Sequence, residues 1–239
     1  MILYVDLEHE GFYQADAAQA VGCRLDTAAR YACTAAALLV KYRLEKLSGE
    51  HCLIVRYEDI SPELVRQMDA KAVFLSGHFT DFEYYDEADY AGLKALLYEA
   101  PCPILGVCAG QQLIGRFYGA DLGPMGPLPF TLADPSVMTR LHGQRQEAGW
   151  TTVRLHQPHS LLKGLGDQAT VLSLHLWEVK EVPEEFVLLG ETDISRVQIL
   201  AHKELPLFGT VFHPERYDDA HPDGKRILEN FFTIAGLGA

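Results

Sequence analysis

The stretch ILGVCAGQQ, residues 104–112, decides the fold. An apolar run leads into Cys108, and a helical pattern begins directly after it. Gly106 and Gly110 lie two residues on either side of Cys108, as a sharp strand-to-helix turn requires, because only small residues fit there. A thiol at a helix N-terminus is favoured as the thiolate and lies beside free N–H groups that receive an oxyanion. The segment predicts a nucleophile, with a buried structural cysteine as the alternative.

Short apolar runs alternate with longer amphipathic ones on both sides of this turn. Strands are predicted at Ile2–Leu7, His51–Tyr57, Ala72–Leu75 and Ile104–Cys108, and helices at 26–47, from Ser61-Pro62 onward, at 88–99 and at 109–118. Alternating strands and helices predict right-handed βαβ units and a parallel sheet. Continuous apolar strands such as AVFL and ILGV are typical of a sheet that is covered on both faces.

The pattern changes beyond Gly119. Residues 123–127 and their continuation to 129 are interpreted as a loop. Antiparallel strands are predicted at 152–155, 170–174, 186–191 and 198–203, followed by a last apolar strand at 208–212 and a closing helix at 226–234. No linker or repeat interrupts the chain. We therefore expect one α/β domain over residues 1–239, with an open, mainly parallel central sheet, helices on both faces and added antiparallel strands.

Composition narrows the function classes. The 33 acidic and 20 basic residues give a net charge of −13, which disfavours nucleic acid and anionic membranes as partners. No apolar run reaches the roughly 18 residues of a membrane span, and the N-terminus lacks the basic start of a secretory signal. We expect a cytoplasmic protein. The five cysteines form no C-x-x-C pair and the histidines show no ligand spacing, so we expect neither a metal nor another cofactor. Four of the five are interpreted as inert thiols: Cys23, Cys33, Cys52 and Cys102.

A second pattern supplies partners for the cysteine. The segment FGTVFHPE, residues 208–215, is an apolar run that ends in His-x-Glu. Residues two apart on an extended chain face the same side. His213 is therefore a candidate general base and acid for Cys108, and Glu215 a candidate for orienting the imidazole and stabilising its charged form.

Several motifs in one order resemble the class-I, triad-type glutamine amidotransferases. The resemblance runs from about residue 72 to 232. Its elements are SG at 76–77, GVCAGQQ at 106–112, EAGW at 147–150, HLWEVKEVP at 175–183, GTVFHPE at 209–215 and GKRILENF at 224–231. It implies a glutaminase-like domain with a flavodoxin-like core.

The resemblance also implies a chemistry. Cys108 would attack the side-chain carboxamide of glutamine, with backbone N–H groups of Ala109 and of Gly77 and His78 holding the oxyanion. His213, supported by Glu215, would protonate the departing ammonia and leave a γ-glutamyl thioester for water to hydrolyse.

The same resemblance places the amino-acid end of the substrate against Gln112 and the backbone of His175, Leu176 and Trp177. His175 is interpreted as a residue that orients this loop. The sequence departs from the family where a Gly-Gly-Pro-type loop is replaced by SGHFTD at 76–81 and where His-Gly-Asp is replaced by His-Leu-Trp at 175–177. Both departures lie at segments that would select the substrate.

Three functions remain open. The first is a glutaminase that delivers ammonia to a separate synthase or ligase subunit, since no synthase domain is recognised in the chain. The second is a stand-alone hydrolase of another γ-glutamyl compound, such as a peptide or polyamine conjugate. The third is a regulatory relative without activity, against which the intact Cys108, His213 and Glu215 count. The acidic and aromatic run at 81–90 is interpreted as a solvated loop that leads into a helix, with a lid or partner surface as the alternative.

Overall fold

The structure is a computed structural model of the chain, and it describes residues 1–14, 26–126, 146–156 and 158–238. The strands are β1 Ile2–Asp6, β2 Cys52–Arg56, β3 Ala72–Leu75, β4 Ile104–Val107, β5 Leu122–Pro124, β6 Glu147–Leu155, β7 Gln168–His175, β8 Trp177–Val179, β9 Phe186–Glu191, β10 Ile199–His202 and β11 Leu207–Thr210. The α-helices are α1 Glu10–Tyr13, α2 Thr27–Ser48, α3 Pro62–Gln67, α4 Ala91–Glu99, α5 Ala109–Phe117 and α6 Asp223–Ile234.

Nine strands form one sheet in the order β2-β1-β3-β4-β11-β10-β9-β6-β7. The pairs from β2 to β11 are parallel, and those from β11 to β7 are antiparallel. The predicted fold class, a mainly parallel sheet extended by antiparallel strands, is confirmed. Within the described residues, no helix is both long and apolar enough to span a bilayer.

The alternation of side chains along β1 explains why both faces are covered. Ile2 and Tyr4 pack into one apolar cluster with residues of α2 and α6. Leu3 and Val5 point to the opposite face and pack into a second cluster with residues of α3, α4 and α5. Successive residues of a strand face opposite sides of the sheet. An unbroken apolar strand therefore contributes side chains to both hydrophobic cores.

Local signals define the ends of the helices. Asp26 and Ser61 accept hydrogen bonds from the backbone N–H groups of Ala29 and Leu64, which caps α2 and α3. Gly49 ends α2 in the left-handed conformation that glycine adopts without cost. The helix predicted from residue 88 begins later, at 91, because a 3₁₀ turn occupies 87–90. The closing helix begins earlier than predicted, at 223.

A small second sheet corrects two loop predictions. Residues 122–124 form β5, which pairs antiparallel with β8 at 177–179. Neither segment was predicted as a strand, because each is only three residues long and exists through its pairing with the other. The remainder of the predicted loop, from residue 127, lies outside the described residues.

The acidic and aromatic run at 81–90 is mostly exposed and leads into α4, as expected, but two of its tyrosines are buried. It forms two 3₁₀ turns at Phe82–Tyr84 and Glu87–Tyr90. The rings of Tyr85 and Tyr90 are buried and stack on each other at 5.6 Å. The Tyr85 hydroxyl donates to the Leu7 carbonyl at 2.9 Å, which ties the run to the end of β1.

Candidate active site

Three neighbouring parallel strands end at the same edge of the sheet, and the candidate residues follow them. Gly77 comes shortly after β3, Cys108 directly after β4, and His213 shortly after β11. β4 lies between β3 and β11. The carboxyl edge of a doubly wound sheet is where such folds bind their ligands. Topology thus brings together residues that are up to 136 positions apart, from Gly77 to His213.

Cys108 occupies a strained turn between β4 and α5. Its backbone has φ +54° and ψ −109°, a conformation that non-glycine residues rarely adopt. The Cys108 N–H donates to the Thr210 carbonyl at 2.8 Å, and the Cys108 carbonyl accepts from Gln112 N–H at 3.0 Å. A Cβ on Gly106 would lie 2.6 Å from the Gly110 carbonyl carbon. The need for small residues around the turn therefore has a steric cause.

His213 and Glu215 form a close pair beside Cys108. The His213 Nδ1 is 2.7 Å from Glu215 Oε1, and the side chains are 14% and 6% exposed. Burial opposes a charge on the imidazole, but the Glu215 carboxylate and the hydrogen bond and charge of Cys108 prevail and raise the pKa of His213 to about 10. The His213 ring is thus held as the cation at neutral pH.

Gly77 lies directly against both groups. A Cβ on Gly77 would be 3.2 Å from the Cys108 Cβ, 3.5 Å from the Cys108 Sγ and 3.4 Å from the His213 Cε1. The thiol and the imidazole therefore lie on the same side of Gly77, and both border the space that a side chain at residue 77 would occupy. Any side chain at residue 77 would crowd the space between them.

The backbone donors expected to receive an oxyanion are the N–H groups of Ala109, Gly77 and His78. Ala109 is the first residue of α5, so its N–H has no intrahelical acceptor. In the part of the chain that the structure describes, the N–H groups of Gly77 and His78 donate to no other residue. The ring of His78 contacts Phe82 at 4.5 Å and Tyr85 at 4.9 Å, and burial lowers its pKa to about 3. His78 is consequently neutral, and its ring is part of an aromatic cluster.

The segment at 174–177, where β7 ends and β8 begins, lies next to Cys108. The Cys108 thiol is 3.8 Å from the Leu174 carbonyl. Gln112 Nε2 donates to the Trp177 carbonyl at 2.6 Å, and His175 Nδ1 is 3.0 Å from the same oxygen. The Leu176 carbonyl accepts from Met125 N–H at 2.9 Å. The amide nitrogen of Gln112 therefore binds the loop, and its contact with a substrate stays a prediction.

A buried polar network fixes His175. Its Nε2 is 2.9 Å from Glu147 Oε2, with both side chains almost fully buried. Glu147 also accepts from Gln198 Nε2 at 2.7 Å and from the Thr192 hydroxyl at 2.7 Å. Burial raises the pKa of Glu147, but His175 and the other donors outweigh it and hold the pKa below its ordinary value. These contacts support the interpretation of His175 as a loop-orienting residue.

The sequence did not single out Arg43, which holds the Glu215 turn. Its Nη1 donates to the Glu215 carbonyl at 2.6 Å and to the Tyr217 carbonyl at 3.0 Å, and its guanidinium lies 4.6 Å from the Tyr217 ring centre. Arg43 lies on α2 and is 172 residues away from Glu215 in the sequence. No local sequence motif predicts a contact between residues so far apart in the chain.

The other cysteines differ from Cys108 in their surroundings. Burial raises the pKa of Cys52 to about 12 and that of Cys102 to about 11, so both remain protonated thiols at neutral pH. Cys33 is half-buried on α2. The prediction for Cys23 falls outside the described residues.

Fold and site together define a doubly wound α/β protein with a cysteine, a histidine and a glutamate at the carboxyl edge of its sheet. The class-I glutamine amidotransferase family matches residues 38–235. A glutamine-hydrolysing GMP synthase subunit from Methanocaldococcus jannaschii is 31% identical over 196 residues, covering 82% of this chain and 90% of that one. The equivalent protein from Pyrococcus furiosus is 34% identical over 134 residues, and the match spans 56% of this chain and 61% of that one.

Solved structures agree in fold. A candidate GMP synthase subunit from Thermoplasma acidophilum superimposes with a TM-score of 0.68 at 21% identity, covering 99% of this chain and 94% of that one. A glutamine amidotransferase from Thermotoga maritima gives a TM-score of 0.55 at 14% identity, covering 90% and 76%. The chain belongs to the class-I glutamine amidotransferase family, as its motifs indicated.

Proposed function

We propose that this protein hydrolyses the side-chain amide of glutamine and delivers the ammonia to a separate synthase subunit. The observation that carries the proposal is the position of Cys108, on a strained turn, next to a His213 ring that is bound to the Glu215 carboxylate. A cysteine next to an imidazolium is the usual form of an activated thiolate nucleophile. The relatives that are named as subunits of GMP synthase support a separate synthase as the partner.

The reaction follows from this arrangement in two steps. The Cys108 thiolate attacks the carboxamide carbon, and the N–H groups of Ala109 and of Gly77 or His78 stabilise the oxyanion. His213 gives its proton to the leaving nitrogen, so the C–N bond breaks, ammonia departs and a γ-glutamyl thioester remains. His213 then takes a proton from water, which attacks the thioester and releases glutamate and the thiol.

The second candidate is a hydrolase of another γ-glutamyl compound. The contact between Phe82 and Trp177, with ring centres 5.6 Å apart, favours it because this contact joins the two loops that flank Cys108. An aromatic contact at this position provides apolar surface for a substituent on the γ-nitrogen. Turnover of γ-glutamyl anilides and amines that exceeds turnover of glutamine would establish this candidate.

The decisive experiment compares wild type with Cys108→Ala and Cys102→Ala. We expect wild type to release glutamate and ammonia from glutamine in equal amounts, Cys108→Ala to be inactive and folded, and Cys102→Ala to match wild type. A diazo-ketone analogue of glutamine should label Cys108 alone among the thiols. Labelling of another cysteine, or full activity in Cys108→Ala, would contradict the proposal.

A further inference from the structure

Glu8 is a buried carboxylate that no catalytic step described above uses. It lies two residues after the end of β1 and is 4% exposed. Burial is the largest influence on it and raises its pKa, while hydrogen bonds from Thr80 and from the backbone act in the opposite direction. An ionised group at such a position requires several donors, since an unpaired buried charge is strongly unfavourable.

Those donors come from the segment that follows Gly77 and His78. Glu8 Oε2 accepts from Phe79 N–H at 2.7 Å, and Glu8 Oε1 accepts from Thr80 N–H at 3.2 Å. Glu8 Oε1 also accepts from its neighbour His9 at 3.1 Å. Two successive N–H groups of the 77–80 segment are thus fixed by one carboxylate. Among the described residues, the N–H groups of Gly77 and His78 are left for another acceptor.

The end of β1 and the end of β3 are joined by further contacts around this carboxylate. Leu7 N–H donates to the Ser76 hydroxyl at 3.0 Å, and that hydroxyl donates to the Gly77 carbonyl at 2.8 Å. Ser76 N–H donates to the Val5 carbonyl at 3.0 Å. The backbone of Gly77 is therefore held through Ser76 on one side, and the chain after His78 is held by Glu8 on the other.

We propose that Glu8 is a positioning residue for the oxyanion site, which orients the peptide groups of Gly77 and His78 toward Cys108 by binding the two N–H groups that follow them. The segment at 78–80, His-Phe-Thr, contains no proline that would by itself restrict it to one of its possible conformations. A carboxylate, whose two oxygens accept several hydrogen bonds, selects one of those conformations. This role rests on the proposed function, since an oxyanion forms only if Cys108 attacks a carbonyl.

The test is the substitution Glu8→Gln, which keeps the shape but replaces one acceptor oxygen by a donor facing an N–H group. The matched control is Glu45→Gln. Glu45 likewise accepts a backbone N–H, from Cys52 at 2.9 Å, but it does so at the amino end of β2, away from the candidate site.

For Glu8→Gln we expect kcat for glutamine hydrolysis to fall about 10- to 100-fold while KM changes less than about threefold, because loss of one oxyanion donor outright costs about 100- to 1,000-fold. Glu45→Gln should keep the wild-type kcat. The rate at which iodoacetamide alkylates Cys108 needs no oxyanion site and should stay within about twofold of wild type in both variants, since His213 is untouched.

Each possible result supports or overturns the positioning role of Glu8 or the proposed function. A Glu8→Gln kcat within about threefold of wild type, a change confined to KM, or an equal loss of kcat and of Cys108 alkylation overturns the positioning role. If Glu8→Gln does not fold, Glu8→Asp keeps the charge but is one methylene shorter, and it should lower kcat with KM and alkylation unchanged. A wild-type protein that neither hydrolyses glutamine nor is labelled at Cys108 overturns the proposed function itself. An active wild type with an equally active Glu8 variant overturns only the positioning role of Glu8.

Discussion

Replacing Glu215 by glutamine tests what keeps His213 charged. The carboxylate is 2.7 Å from the His213 Nδ1 and, with Cys108, overcomes the effect of burial to raise the pKa from its ordinary 6.5 to about 10. At about 1.36 kcal/mol per pKa unit, that rise corresponds to roughly 5 kcal/mol in favour of the imidazolium. Glutamine keeps a hydrogen-bonding oxygen but removes the charge, so burial should then bring the pKa of His213 to or below 6.5.

Because the pKa of His213 differs between the folded and unfolded states, the free energy of unfolding depends on pH. A histidine whose pKa is higher in the folded state stabilises the fold fully below pH 6.5, and this stabilisation is lost as the pH rises through about 10. Wild type should therefore exceed Glu215→Gln by several kcal/mol in the free energy of unfolding at about pH 6.5. The difference should shrink steadily and close near pH 10.

Urea unfolding of both proteins at about pH 6.5, 8 and 9.5 measures this difference directly. The control is Glu63→Gln, whose side chain is 68% exposed and whose difference from wild type should be small and constant over this pH range, because Glu63 is ionised throughout it. Glutaminase kcat near neutral pH should fall at least about 100-fold in Glu215→Gln, because the imidazole loses its orienting anion. A stability difference that stays constant from about pH 6.5 to 10 would show that Glu215 does not set the protonation of His213.

Three further changes have defined outcomes. Gly106→Ala should lower the free energy of unfolding by about 2–3 kcal/mol, because its Cβ would meet the Gly110 backbone at 2.6 Å. The control Gly166→Ala places its Cβ in open space and should change the free energy of unfolding, measured by chemical denaturation, by less than about 0.5 kcal/mol. Arg43→Ala should cost about 2 kcal/mol and lower kcat, since it frees the turn that carries Glu215; an unchanged kcat would contradict this. Glu147→Gln should cost about 3 kcal/mol, seen as a lower thermal midpoint, because it removes a buried carboxylate that accepts hydrogen bonds from Gln198 and Thr192.

Local pattern was sufficient for the parallel strands of the central sheet and for the central candidates, but not for β5 and β8. The apolar runs marked β1 to β4, and the glycines around Cys108 marked a turn that the structure shows to be sterically tight. The His-x-Glu spacing identified His213 and Glu215 together, but the structure pairs them across a 3₁₀ turn at Pro214–Arg216 and not along the extended segment that was expected. Their catalytic roles stay predictions, and the family that the motifs indicated is confirmed.

The sequence by itself determined which residues lie at strand ends, because hydrophobic period, caps and glycines act over a few residues. Only the tertiary structure decided which strand ends meet. It placed β4 between β3 and β11, bound Glu8 to a segment 71 residues later, and set Arg43 against a turn 172 residues away. Such contacts arise when distant elements pack on a shared core, and no local spacing encodes them. For this reason the candidate nucleophile was visible in the sequence, while the groups that hold its surroundings in place were not.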